Sequence, residues 1–273
     1  LNAETLLGWI PRGSELVLVA RGPFEQPSQK NPYPPTFPGM LQELSTPQLD
    51  GTARLGLSDS SVSVLAVTHF EDQGAFTGCL LMLLAPDNDQ TKALISHQCT
   101  PETGYRVPVW MSTDPHSLCS EYFCFPSPGV FVTAYDARSL RETLDRMGRS
   151  DSVGLPGAME KLRTRVNTGA RCWAIRAENR QINDEDPERP ESSVTTPNAR
   201  PSAICLDWQN PDAVRIQLIN YTRRPRFFEK KAGLRFVHKA GLYVSELRAP
   251  HTPAEVWRVY LTYKYLLGLR IYL

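Results

Sequence analysis

The chain has 273 residues, 41% hydrophobic and 22% charged, enough to bury one large core or two ordinary ones. Its 30 Lys and Arg stand against 29 Asp and Glu, and a formal charge of +1 excludes whole-molecule steering toward nucleic acid or an anionic membrane. The longest apolar run, residues 79–85, falls far short of the roughly 20 residues that cross a bilayer, so no membrane span is expected.

In chain order, period and punctuation predict a helix over residues 3–10, stopped at Pro11-Arg12-Gly13, then a strand over 15–21. Six prolines from Pro23 to Pro38 cannot hold a regular ladder and predict an extended surface loop. Phe37, Met40, Leu41 and Leu44 then show the spacing of a short amphipathic helix. Strands are expected over 61–70 and 77–85, a helix near 89–97, and strand pieces over 105–111, 121–125 and 129–135. Asp136 suits the open N–H groups of a helix start, and Leu140, Leu144 and Met147 line one face of that helix. Gly148 is expected to give it a left-handed exit.

A similar plan restarts at Leu155. Met159, Leu162 and Val166 form a helix face, Gly169 ends it, and 171–177 reads as a strand. Residues 178–201 are polar and acidic without apolar period, which predicts a mobile surface insertion. Strands over 203–208 and 213–221 follow, then a turn or helix over 224–232 and a hairpin of 234–237 with 242–247. Thr252-Pro253-Ala254-Glu255 is a capping-box start for a helix carrying Val256, Trp257, Val259, Tyr260, Tyr263 and Leu267.

The halves share two short runs in the same order. Gly13-Ser14-Glu15-Leu16-Val17 matches Gly169-Ala170-Arg171-Cys172-Trp173, and Gly129-Val130-Phe131-Val132-Thr133 matches Gly241-Leu242-Tyr243-Val244-Ser245. The resulting expectation is an α+β fold of antiparallel sheets covered by helices. It comprises two similar, duplicated units, residues 2–148 and 155–273, the second holding the insertion 178–201.

Motifs for common enzyme classes are missing: there is no G-x-G-x-x-G, no G-x-x-x-x-G-K-[ST], no G-x-S-x-G and no H-E-x-x-H. Tyr260 and Lys264 have the Y-x-x-x-K spacing that sets a phenol beside an ammonium, but without a dinucleotide fingerprint a tyrosine-rich core face explains them better. His97, Cys99, His116, Cys119 and Cys124 are five potential ligands whose spacing does not match zinc's paired pattern, so neither a metal nor a cofactor is expected. Cys79, Cys172 and Cys205 sit in apolar runs and are expected to be buried and unpaired, while Cys99, Cys119 and Cys124 are the better disulfide candidates. Adjacent acids such as Asp184-Glu185-Asp186 read as solvated loop residues rather than a catalytic pair.

One segment departs from the neutral background. Residues 221–239 hold Arg223, Arg224, Arg226, Lys230, Lys231, Arg235 and Lys239 against Glu229 alone, a net of +6, with Tyr221, Phe227, Phe228 and Phe236 interleaved. A solvated face, paired with the acidic residues 178–191, is the foremost reading. A protein or small-anion partner comes next, with Arg223, Arg224, Arg226, Lys230 and Lys231 as the anion-binding set, and nucleic acid comes last. The sequence as a whole favours a soluble, non-catalytic binding or interaction protein. The alternatives are a hydrolase whose site is assembled from distant residues and an anion or nucleic-acid binder acting through 221–239. A chain opening on Leu1 rather than Met is expected to have lost residues, and export is favoured over a cytoplasmic place.

Overall fold

The computed structural model describes residues 1–21, 62–70, 76–84, 89–112, 122–149, 155, 157–170, 172–177, 202–210, 213–219, 235–239 and 242–246. Helix α1 spans Ala3–Trp9. It starts where Asn2, in extended backbone, accepts the Thr5 N–H at 3.0 Å. It stops at Ile10, which is extended (φ −61°, ψ 149°) because the ring of Pro11 disfavours a helical predecessor. Seven residues are too few for a helix to hold by itself. Burial of Leu6, Leu7, Trp9 and Ile10 is what secures it.

Twelve strands follow among the described residues: β1 (Ser14–Arg21), β2 (Val62–Phe70), β3 (Phe76–Leu84), β4 (Cys99–Glu102), β5 (Val109–Ser112), β6 (Tyr122–Ser127), β7 (Val130–Ala134), β8 (Cys172–Arg176), β9 (Ser202–Asn210), β10 (Ala213–Ile219), β11 (Arg235–Lys239) and β12 (Leu242–Glu246). They hydrogen-bond into one sheet in the order β11-β12-β10-β9-β8-β1-β2-β3-β7-β6-β5-β4. Every neighbouring pair is antiparallel. The expected antiparallel α+β architecture is therefore observed, as one continuous sheet joined through β1 and β8. Outward from that pair, the series β1, β2, β3, β7, β6 and the series β8, β9, β10, β12, β11 follow one connection plan; β5 and β4 extend the first.

Three more helices complete the described elements: α2 (Asp89–Gln98), α3 (Ala137–Met147) and α4 (Gly157–Arg163). Strand residues of alternating parity, among them Val17, Val19, Val64, Ala66, Met82, Val132, Trp173 and Ile175, join Leu6, Leu7, Leu140, Leu144, Met159 and Leu162 in one buried cluster. Helices α1, α3 and α4 thus cover the same face. Residues of the other parity, including Leu16, Leu18, Leu83, Phe131 and Ala174, are buried as well. Burial on both faces explains why the longest apolar run of the chain belongs to β3, a central strand. Among the described residues no helix is long and apolar enough to cross a membrane.

Helix α3 starts as expected, with the Asp136 carboxylate accepting the Ser139 N–H at 2.7 Å. Its end differs. Gly148 is right-handed (φ −83°, ψ −2°), and the Arg149 N–H closes the last turn on the Arg146 carbonyl. Glycine here leaves room for Arg106, whose guanidinium would lie 3.2 Å from a Cβ at this position. Left-handed glycines occur at Gly104 (φ 87°) and Gly129 (φ 73°) instead. Gly129 follows Pro128 in the turn from β6 to β7, the Pro-Gly arrangement of a type II turn. Gly104 lies between β4 and β5, so the strand expected from residue 105 begins only at Val109. Helix α4 is shorter than its apolar face suggested, and Val166 is buried in the turn beyond it.

Candidate functional site at the basic edge of the sheet

Arg223, Arg224, Arg226, Lys230 and Lys231 lie outside the described residues, as do the proline-rich stretch, the acidic residues 178–201, Tyr260 and Lys264. The C-terminal end of the basic run is described. Arg235 and Lys239 are the first and last residues of β11, which ends the sheet order and has β12 as its one neighbour among the described residues. Register pairs Arg235 with Glu246, Phe236 with Ser245, Val237 with Val244, His238 with Tyr243 and Lys239 with Leu242.

Alternation places Arg235, Val237 and Lys239 on one face, and Phe236 and His238 on the other. The first face can be identified by following the register inward. Val244 and Leu242 lie opposite Gln217 and Ile219 of β10, and the Gln217 amide donates to the Arg165 carbonyl just past α4 at 3.4 Å. Arg235, Val237 and Lys239 therefore share the face that carries the helices.

The two ends of the sheet differ chemically. At one end, β4 is four residues long and contains Pro101, opposite Trp110, which has no N–H to offer an incoming strand. At the other, β11 has five residues (Arg-Phe-Val-His-Lys) and no proline. Among the described residues β11 is an edge strand, and an edge strand turns half of its main-chain N–H and C=O groups away from its neighbour. Local sequence identified the hairpin and its charges. Its terminal place was not legible, because it depends on β12 pairing with β10 across a non-sequential connection.

Among the described residues the histidines and cysteines do not form a centre. His97 is exposed at the end of α2, Cys99 is partly exposed on β4, and Cys124 is buried in β6; His116 and Cys119 lie outside the described residues. Among the described residues no three His, Cys, Asp or Glu stand close enough to hold a metal. Cys124 also corrects the disulfide expectation, because it is a free thiol in a strand flanked by β5 and β7. Desolvation pushes its pKa up to about 12. Cys172 and Cys205 are buried in β8 and β9, and the Cys205 thiol donates to the Asn167 carbonyl at 3.7 Å. Cys79 lies in β3 opposite Val67.

A second polar feature is structural. Asp136, Ser139, Thr143 and Arg146 form a buried stripe on α3. Arg146 donates Nε and Nη2 to the Gly8 carbonyl at 3.2 and 3.1 Å, and the Arg12 N–H donates to Glu142 Oε1 at 2.6 Å. These bonds fasten the end of α1 to α3. On the other side, Arg163 of α4 pairs with Glu160 and reaches Glu4 of α1, and these hydrogen bonds raise its pKa.

Solved structures share the fold. The structure of TP0453 in crystal form I matches with a TM-score of 0.51 at 11% identity, over 94% of this chain and 96% of that one. Crystal form III of the same protein matches with a TM-score of 0.51 at 10% identity, over 94% and 97%. No protein-family model matches the chain. No curated relative matches it either.

Proposed function

We propose that this chain is a non-catalytic interaction protein that takes an extended segment of a partner protein onto the outer edge of β11. The supporting observation is the contrast between the sheet's ends, one carrying Pro101 and the other a proline-free strand with cations at both ends. Main-chain pairing would supply affinity, and the side chains of alternate residues would supply selectivity. A second copy of the chain is a poor occupant. Antiparallel pairing of two β11 strands centred on Val237 sets Arg235 opposite Lys239, and like charges directly opposed are destabilising. The same connection plan on either side of the β1–β8 pair also supports an origin of the two halves by duplication.

The test uses the full chain and a library of ten-residue peptides with alternating strand-forming residues. Amide hydrogen exchange of residues 235–239 is then followed with a selected peptide bound. Protection confined to alternate amides of β11 is expected. Phe236→Pro and Val237→Pro form a matched pair, since one of them removes only an outward-facing donor. That variant should stay folded and lose the peptide. Binding with no change in exchange at 235–239 would refute the edge as the site.

A further inference from the structure

We infer that the strand received by β11 is acidic, with carboxylates at the two positions opposite Arg235 and Lys239. This inference rests on the edge reading above and deepens it by naming the chemistry of the occupant. Its basis is a row of directly opposed residues running across four strands. Asp207 of β9 is opposite Arg215 of β10. Arg215 is also opposite Glu246 of β12, and Glu246 is opposite Arg235 of β11. Read outward, the row is minus, plus, minus, plus, and it ends on a cation at the edge.

Register alone makes this row chemically meaningful. Residues directly opposite in antiparallel strands have Cβ atoms roughly 4.5–5.5 Å apart, a separation at which opposite charges attract and like charges repel. All four positions share the helix-covered face, because Asp207 is two residues from Cys205 and Arg215 is two from Gln217. By register Arg215 stands opposite an acidic residue on each side, whereas Arg235 stands opposite Glu246 and has no further strand beyond it among the described residues. The next residue in the series is an Asp or Glu on the incoming strand.

Lys239 adds a second requirement. It lies four residues along the same face from Arg235, and its register partner, Leu242, carries no charge. An incoming strand whose positions i, i+2 and i+4 face Arg235, Val237 and Lys239 is best matched by an acidic, an apolar and an acidic residue. Five further cations, Arg223, Arg224, Arg226, Lys230 and Lys231, precede β11 in the chain with Glu229 as their one acidic neighbour. Positive charge near an interface speeds encounter with an acidic segment. The acidic residues 178–191 of this chain are a weaker occupant, because Pro187 and Pro190 interrupt the charged run.

Three nine-residue peptides of identical Val/Thr strand background test the inference, carrying Glu, Gln or Lys at positions i and i+4. Titration against the full chain at low and moderate salt is expected to rank them Glu, Gln, Lys. The Glu peptide should bind roughly two- to thirtyfold tighter than the Gln peptide. Added salt should narrow the gap. Lys239→Glu reverses one end without touching the Arg215–Glu246–Arg235 row, and should shift preference from the Glu peptide toward the Lys peptide. Arg235→Gln should lower affinity for the Glu peptide and leave that for the Gln peptide nearly unchanged. If all three peptides bind alike and protect the amides of 235–239, the acidic assignment is wrong and the edge reading stands. Should none of them bind at low salt, both fall.

Discussion

The Arg146 guanidinium donates two hydrogen bonds to the carbonyl of Gly8, so that the last turn of α3 caps the last turn of α1. A helix's final carbonyls have no partner within the helix and carry partial negative charge, so a buried cation satisfies one of them on both counts. Arg146→Met keeps much of the apolar stem and removes both donors, leaving the Gly8 carbonyl without them. A loss of about 2–3 kcal/mol is expected, read as a lower denaturant midpoint at unchanged slope. A shift within the scatter of surface substitutions would show that the bond pair is dispensable.

On the same stripe, Ser139 Oγ and Thr143 Oγ1 are buried and have no hydrogen-bond partner among the described residues. Each keeps a hydroxyl from water with no return. Ser139→Ala and Thr143→Val remove the desolvated group at nearly constant volume, and each should leave stability unchanged or raise it by up to about 1 kcal/mol. Thermal unfolding of the two variants checks this, and a clear loss in both would mean that the hydroxyls are hydrogen-bonded in solution.

Cys124 ties stability to alkaline pH. Its thiol ionises near 9.0 when unfolded and near 12 when folded, because burial penalises the thiolate. Below pH 9 both states keep the proton and the full contribution is present. Between those values the unfolded chain loses its proton first, so stability falls as pH rises. One pH unit above the ordinary value, the thiol's share of that fall is about 1.4 kcal/mol. Denaturant unfolding at pH 8 and pH 10 should show a decline in the parent larger by this amount than in Cys124→Ala. Equal declines would refute the shifted thiol.

Local sequence revealed what local physics decides. Asp136 accepts an N–H group at the start of α3, Pro11 stops α1, and the apolar runs read as strands over 61–70 and 77–85 form β2 and β3. It failed where the outcome depended on distant residues. Arg146 reads as one more surface charge on a helix of the sequence Ala-Arg-Ser-Leu-Arg-Glu-Thr-Leu-Asp-Arg-Met, and its burial follows only once α1 packs there. Gly148 looked like a left-handed cap, yet it is right-handed, and a Cβ there would lie 3.2 Å from the Arg106 guanidinium. β4 was missed because Cys-Thr-Pro-Glu has neither apolar alternation nor strand propensity, and its pairing with β5 creates it. As for the candidate site, its charges were plain in 221–239, whereas the alternating row reaching Arg235 exists only through three registers between separate strands.

The pairing of β1 with β8 carries a kinetic consequence. Most other neighbours in the sheet are close in the chain, as β2 with β3 or β9 with β10, so their loops close at little entropic cost. Val17 and Ile175 must instead find each other across more than half of the polypeptide. Each meander can therefore assemble early, with the union of the halves as the slow step. Until it occurs, β1 and β8 are raw apolar edges, and those edges are where a newly made chain is most exposed to the wrong partner.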